Sequence, residues 1–231
     1  MTASMWKHTS RVIPTIDVPV GELSTVPPKR PHRPPILNEV QTNPMETFLE
    51  TSFQNVRSSK RTDEFHNALL DEVLNANSTW AEYDWQFEYQ LPVDGFGGTF
   101  DIDIAGFVNG ELKVAILGKA INSNVNKNIK NYANTSIGEA ARIMYAPNVV
   151  MEKVLFVTVL PRIAPRFNTK KEVVGFDDVI SAKNRTKIND ILTAQYSGKV
   201  EAIDLFFDIE GVKTLTNFDL IEVKNLDALT L

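Results

Sequence analysis

At 231 residues the chain is long enough to bury a core without disulfide or metal staples, and one main domain is expected. The apolar fraction is 43%, the charged fraction 23%, and the 12 prolines and 11 glycines are too few for disorder, so the composition is that of a folded globular protein. A net charge of −5 argues against non-specific coating of nucleic acid, though not against a cleft that gathers Lys and Arg locally.

The absence of cysteine removes thiolate nucleophiles, iron–sulfur clusters and thiolate zinc sites. His8, His32 and His66 are scattered, which disfavours a His-rich metal site or a Ser-His-Asp triad. Catalysis, if present, is therefore expected from carboxylates, Lys and a hard metal ion. No run approaches the roughly 18 apolar residues of a membrane span and the N-terminus lacks a signal-peptide core, so a cytoplasmic location without membrane contact is expected.

In chain order, residues 1–43 read as a proline-rich basic arm: Pro27, Pro28, Pro31, Pro34 and Pro35 bracket Lys29, Arg30, His32 and Arg33. Such density forbids helix and favours an extended backbone. The arm could track a DNA backbone or lie on a surface. The folded domain is expected over 44–231. Pro44 suits a first helical turn, and Met45, Phe48, Leu49, Phe53 and Val56 recur at helical spacing. A second helix starts at Thr62, with Asp63 and Glu64 in its first turn and Phe65, Leu69, Leu70, Val73 and Leu74 on one face.

Three strands follow over 84–91, 99–107 and 112–119, the last two joined by a turn at Asn109-Gly110. The apolar spacing over 124–145 predicts a long amphipathic helix stopped by Pro147. A buried strand is expected over 154–160, a basic loop over 161–172, a helix over about 177–196, a strand over 202–209, and a closing hairpin around Gly211 with a strand near 218–223. The fold class expected is α/β, a central mixed β-sheet flanked by helices, with an α-β-β-β-α-β core.

The hairpin can be read by parity, because side chains alternate faces along a strand and directly opposed residues share one. A two-residue loop, Asn109-Gly110, would set Asp103 against Ile116. A three-residue loop, Asn109-Gly110-Glu111, sets Ile104 against Ile116 and Gly106 against Val114 on an apolar side, and Asp103 against Leu117 and Asp101 against Lys119 on the other. The second register sorts the residues better and is the one predicted.

This order of elements over roughly 62–160, an Asp on the second strand and Lys119 two residues beyond position 117 on the third resemble the PD-(D/E)XK nuclease superfamily, type II restriction endonucleases in particular. The resemblance implies Asp103 as first metal ligand, Lys119 as the lysine that orients or activates the attacking water, and an acid at 117. Leucine stands there, and leucine cannot coordinate Mg²⁺. The chain is then an inactivated enzyme, or takes its second carboxylate elsewhere, or is unrelated. Glu139, on the following helix, lies about five turns of helix and loop past Lys119, which argues against it. Glu111 sits at the hairpin tip, too far from Asp103 to share an ion at roughly 3.3 Å per residue. Asp101 is a secondary metal-site acid or a cross-strand partner of Lys119. Glu64 is either a catalytic carboxylate from the first core helix or a helix-terminus stabiliser.

For DNA, Asn124, Asn126, Lys127 and Lys130 are expected to read bases or bind phosphate from the start of the long helix. Arg162, Arg166 and Lys170 are expected to contact phosphate from the basic loop. The function implied is Mg²⁺-dependent hydrolysis of a short palindromic site in double-stranded DNA by a homodimer, impaired by Leu117. The alternative is a non-catalytic DNA- or protein-binding module on the same sheet. No phosphate-loop or dinucleotide-binding glycine motif is present.

Overall fold

The computed structural model describes residues 43–54, 62–93, 98–170, 172–179, 184–196, 198–210 and 221–231. The arm over residues 1–42 and the turn at Gly211 lie outside them. The expected α/β class is observed. Strands β1 (Asp84–Val93), β2 (Gly98–Val108), β3 (Glu111–Ala120), β4 (Lys153–Pro161), β7 (Val200–Ile209) and β8 (Val223–Lys224) form one mixed sheet in that spatial order. β1, β2 and β3 are antiparallel, β3, β4 and β7 parallel, and β8 returns antiparallel.

Helices α1 (Pro44–Gln54) and α2 (Thr62–Ala76) cover one face. Phe48, Leu49, Phe53, Phe65, Leu69 and Val73 pack there against Ile104, Ile116, Leu155 and Val157. Helices α3 (Val125–Met144) and α4 (Asn184–Gln195) carry the two parallel crossovers and cover the other. Ala140, Ile143 and Leu192 meet Ala105, Leu117 and Phe156 on that side. Each large apolar side chain so buried contributes about 1.5–3 kcal/mol relative to exposure. Asn43 caps α1, its Oδ1 accepting the Met45 N–H at 2.7 Å, and its amide donates to Glu72 of α2 at 2.8 Å.

The segment after β4 differs from expectation. Ile163–Phe167 (β5) and Val173–Asp178 (β6) form a separate two-stranded ribbon, and α4 starts only at Asn184. Val173, Val174 and Phe176 suit a strand, and that strand extends over Asp177 and Asp178, where the helix was expected to begin. Asp177, read as helical from sequence, is buried and pairs with Arg166 at 3.5 Å.

The hairpin turn also differs. Val108 opposes Glu111 and Phe107 opposes Leu112, so the loop is the two residues Asn109 and Gly110, with φ of 52° and 80°. Both left-handed values suit a primed turn that follows the twist of the strands. A bulge then leaves Lys113 unopposed, and the predicted pairing is recovered over Gly106–Val114, Ala105–Ala115 and Ile104–Ile116. Turn chemistry and side-chain sorting are thus both satisfied, one extra residue reconciling them.

Candidate active site

Beyond Ile104–Ile116 the β2–β3 pairing stops. The predicted oppositions of Asp103 with Leu117 and Asp101 with Lys119 do not form. Regular alternation breaks at this level: Ile102 belongs to the α3 side of the sheet and Ile104 to the α2 side. β1 makes the same change between Tyr89 and Phe87, their partners across the ladder, with Glu88 between them at φ 53°. A non-glycine residue in that region costs of order 1 kcal/mol. The inversion turns Asp103 toward the neighbouring strand, where its Oδ2 accepts the Gly118 N–H at 2.8 Å.

Helix α2 closes over this point. A Cβ on Gly118 would lie 2.5 Å from Leu69 Cδ2 and 2.8 Å from Phe65 Cε1, so only glycine admits the helix. The residue that α2 brings to Asp103 is His66, its Nε2 3.8 Å from Asp103 Oδ1 and its ring stacked on Phe87. Glu64, expected in this role, is exposed. Phe65 and Leu69 fix which side of the helix meets the sheet, and that choice turns His66 inward and Glu64 outward. The sequence carried a signal for His66: it shares its stripe of the helix with the buried Leu70 and Val73.

On the α3 side, Leu117 is buried among core residues. Glu139 supplies the carboxylate nearest Lys119, its Oε2 3.8 Å from Nζ. The distance argument against Glu139 fails because α3 runs back along β4. Its start at Val125 packs with Leu160, Tyr132 meets Thr158, and Ala140 and Ile143 cluster with Phe156 and Val154. Residues added after Lys119 therefore return toward it. The Lys119 ammonium also lies 5.1 Å from the centroid of the Tyr132 ring.

Burial raises the pKa of Asp103, against the Gly118 N–H, His66 and Lys119, which lower it; Asp101 adds a further upward push. Burial likewise raises that of Glu139, where Lys119 pulls down and the charge of Asp103 pushes up. Two carboxylates held this way favour a cation beside them. Among the described residues, the buried side-chain polar atoms without a hydrogen-bond partner are His66 Nδ1, Asn122 Oδ1, Ser136 Oγ and Glu139 Oε2. His66 and Glu139 border the site directly; Asn122 follows β3, and Ser136 lies a turn before Glu139. Unsatisfied buried groups are rare in folded proteins, and water or an ion is their usual complement. No group of three or more His, Asp or Glu close enough to enclose a metal occurs among the described residues. Mg²⁺ does not need such a cage: one or two carboxylates can hold it while it keeps several waters and takes its remaining oxygens from phosphate.

The other expected site residues are dispersed. Asp101 is exposed and lies opposite Gln90 of β1. Asn124 is half-buried at φ 52° ahead of α3, its Oδ1 accepting the Phe167 N–H at 3.2 Å, which ties the helix start to the β5–β6 ribbon. Asn126 is exposed. Lys127 and Lys130 fall in the first turns of α3, and their side chains lie outside the described residues.

Arg162 is committed to the C-terminal segment. It bonds the Asn225 carbonyl at 2.9 Å, pairs with Asp227, and lies 3.5 Å from Asp208. Arg166 is half-exposed and Lys170 exposed at the ribbon tip. No helix among the described residues is long and apolar enough to cross a membrane. No protein-family model, curated protein or solved structure matches this chain.

Proposed function

We propose that the chain is a Mg²⁺-dependent DNA endonuclease of the type II restriction kind, in which Glu139 stands in for the acid missing at Leu117. The observation that carries this reading is Lys119 lying beside Glu139, whose buried Oε2 has no hydrogen-bond partner, at the point where Asp103 crosses to Gly118.

Asp103 and Glu139 are the residues that would hold the ion. When bound, Mg²⁺ acts as a Lewis acid that lowers the pKa of a water and offsets charge on the phosphate. Lys119 contributes a fixed positive charge and three donors, suited to hold a phosphate oxygen or the attacking water as negative charge builds on the oxygens. Gly118 and His66 hold the Asp103 carboxylate across the open ladder. Arg166, Lys170 and the start of α3 are the candidates for gripping the duplex, and a homodimer is the simplest match to a two-fold target. The burial of Leu117 favours a second reading, a DNA- or protein-binding module that has dispensed with catalysis.

Incubation of phage-sized DNA with Mg²⁺ and wild type, Glu139→Ala, Leu117→Glu, or Leu117→Glu with Glu139→Ala separates these. The nuclease reading expects discrete fragments from wild type, none from Glu139→Ala, and partial recovery in the double variant, where the acid is returned to the strand. Specific binding without cleavage by any of the four supports the module. Absence of binding to DNA at modest salt sinks both.

A further inference from the structure

Lys119 is a long side chain left 39% exposed, and its ion pair with Glu139 spans 3.8 Å. That single contact is a loose restraint on a stem with four rotatable bonds. The sheet and α3 add a second. Lys119 and Thr158 are direct neighbours on the parallel strands β3 and β4 and point to the same face. Thr158 is fully buried, the one hydroxyl in the otherwise apolar run Val154–Leu160. A buried hydroxyl is costly unless bonded, and its partner is the Tyr132 hydroxyl. That bond holds the Tyr132 ring against the sheet, with the Lys119 ammonium 5.1 Å from its centroid.

From this, and resting on the reading of the site given above, we infer that Tyr132 is a positioning residue for Lys119. Its ring is a shelf for the ammonium, its hydroxyl is pinned to Thr158, and β4 and α3 thereby set where the cation stands beside Glu139. The residue is not itself a catalytic group. Its contribution is to spare Lys119 a search over rotamers when the phosphate arrives.

Two measurements test this on the full chain, with Tyr132→Phe, Tyr132→Leu and Thr158→Val. The first needs no activity: in protein carrying ¹³C-labelled lysine, the Lys119 ε-methylene, assigned by its loss in Lys119→Arg, is expected upfield through the ring current of Tyr132. The shift should weaken in both Tyr132→Phe and Thr158→Val, each of which keeps the ring but removes the hydroxyl bond that pins it, and vanish in Tyr132→Leu. The second is cleavage of plasmid DNA with Mg²⁺, where Tyr132→Leu is expected to lower kcat about tenfold with KM unchanged, and Tyr132→Phe, which keeps the ring but not its pin, to recover part of it.

An unshifted methylene in wild type, or one that does not respond to Tyr132→Leu, overturns the inference. So does an unchanged kcat in Tyr132→Leu or a loss confined to KM. Wild type that shows the ring-current pattern but leaves DNA intact with Mg²⁺ overturns the nuclease reading while the shelf stands. Should Tyr132→Leu fail to fold, the methylene in Thr158→Val decides, since an unmoved resonance there also overturns the inference.

Discussion

The carboxylate of Asp103 accepts the backbone N–H of Gly118 at 2.8 Å, a side chain bridging β2 and β3 just past the point where the strand pairing ends. An open ladder would otherwise leave that N–H unsatisfied in a part-buried place, at a cost of about 1–3 kcal/mol. The same contact brings the acid within reach of α2 on one side and the Lys119 strand on the other.

Gly118→Ala should separate these roles. The added methyl meets Leu69 and Phe65 well inside contact distance, so α2 must retreat. The expected loss is about 1–3 kcal/mol in urea unfolding. An unchanged midpoint would mean that α2 does not seat where described.

Glu139→Gln should stabilise the ion-free protein at neutral pH. The pKa of Glu139 is raised above the ordinary 4.5 by burial, so its folded-state contribution is fully present below that value and is lost as pH rises through the raised one. The advantage of the Gln variant should therefore be absent in acid, grow through that window and level off above it. Urea titrations of both proteins from acid to neutral pH measure the difference, and a constant offset would contradict the burial argument.

Divalent ions should reverse that order. If Asp103 and Glu139 hold the ion as proposed, Mg²⁺ or Mn²⁺ would bind the folded state alone and stabilise it by about 2.7 kcal/mol at a hundredfold excess over Kd. The thermal midpoint of wild type should rise with the ion, while Asp103→Asn and Glu139→Gln should each remove most of the rise. Equal rises in all three proteins would locate the binding elsewhere.

Arg162→Ala should cost stability and leave DNA affinity unchanged. The guanidinium holds the Asn225 carbonyl and Asp227, and Asp227 Oδ2 in turn accepts the Phe206 N–H at 3.0 Å. Both carboxylates it faces, Asp208 and Asp227, are more than a third exposed, so the expected loss is modest, about 1 kcal/mol. Faster proteolysis within residues 221–231 should accompany it. A selective fall in DNA affinity would return Arg162 to the binding surface.

The element order was legible wherever periodicity was long and of one kind. The helices beginning at Pro44, Thr62 and Val125 and the strands β1 to β3 repeat an apolar spacing over enough residues to override local exceptions, and β4 is a continuous apolar run of strand length. The ribbon of β5 and β6 was not legible, because Pro165 and the basic residues around it resemble a loop. Its strandedness comes from pairing Pro165 with Phe176 and Ala164 with Asp177, which is information held by two separated segments.

By itself the sequence determined the residue types from which chemistry could be built. Without cysteine and with scattered histidines it left carboxylates and Lys119, and the resemblance of the hairpin to a nuclease frame singled out Asp103, whereas the opposition to position 117 read from alternation does not form. Only the tertiary structure decided which of the other groups stand near them. The face inversion at Glu88 and Asp103, the seating of α2 on Gly118 and the return of α3 along β4 choose His66 over Glu64 and Glu139 over position 117. The physical reason is that alternation and helical period describe one element at a time, whereas a site is set by how elements pack. A glycine that admits a helix, or a helix that doubles back, moves a side chain by many residues' worth of chain without changing either period.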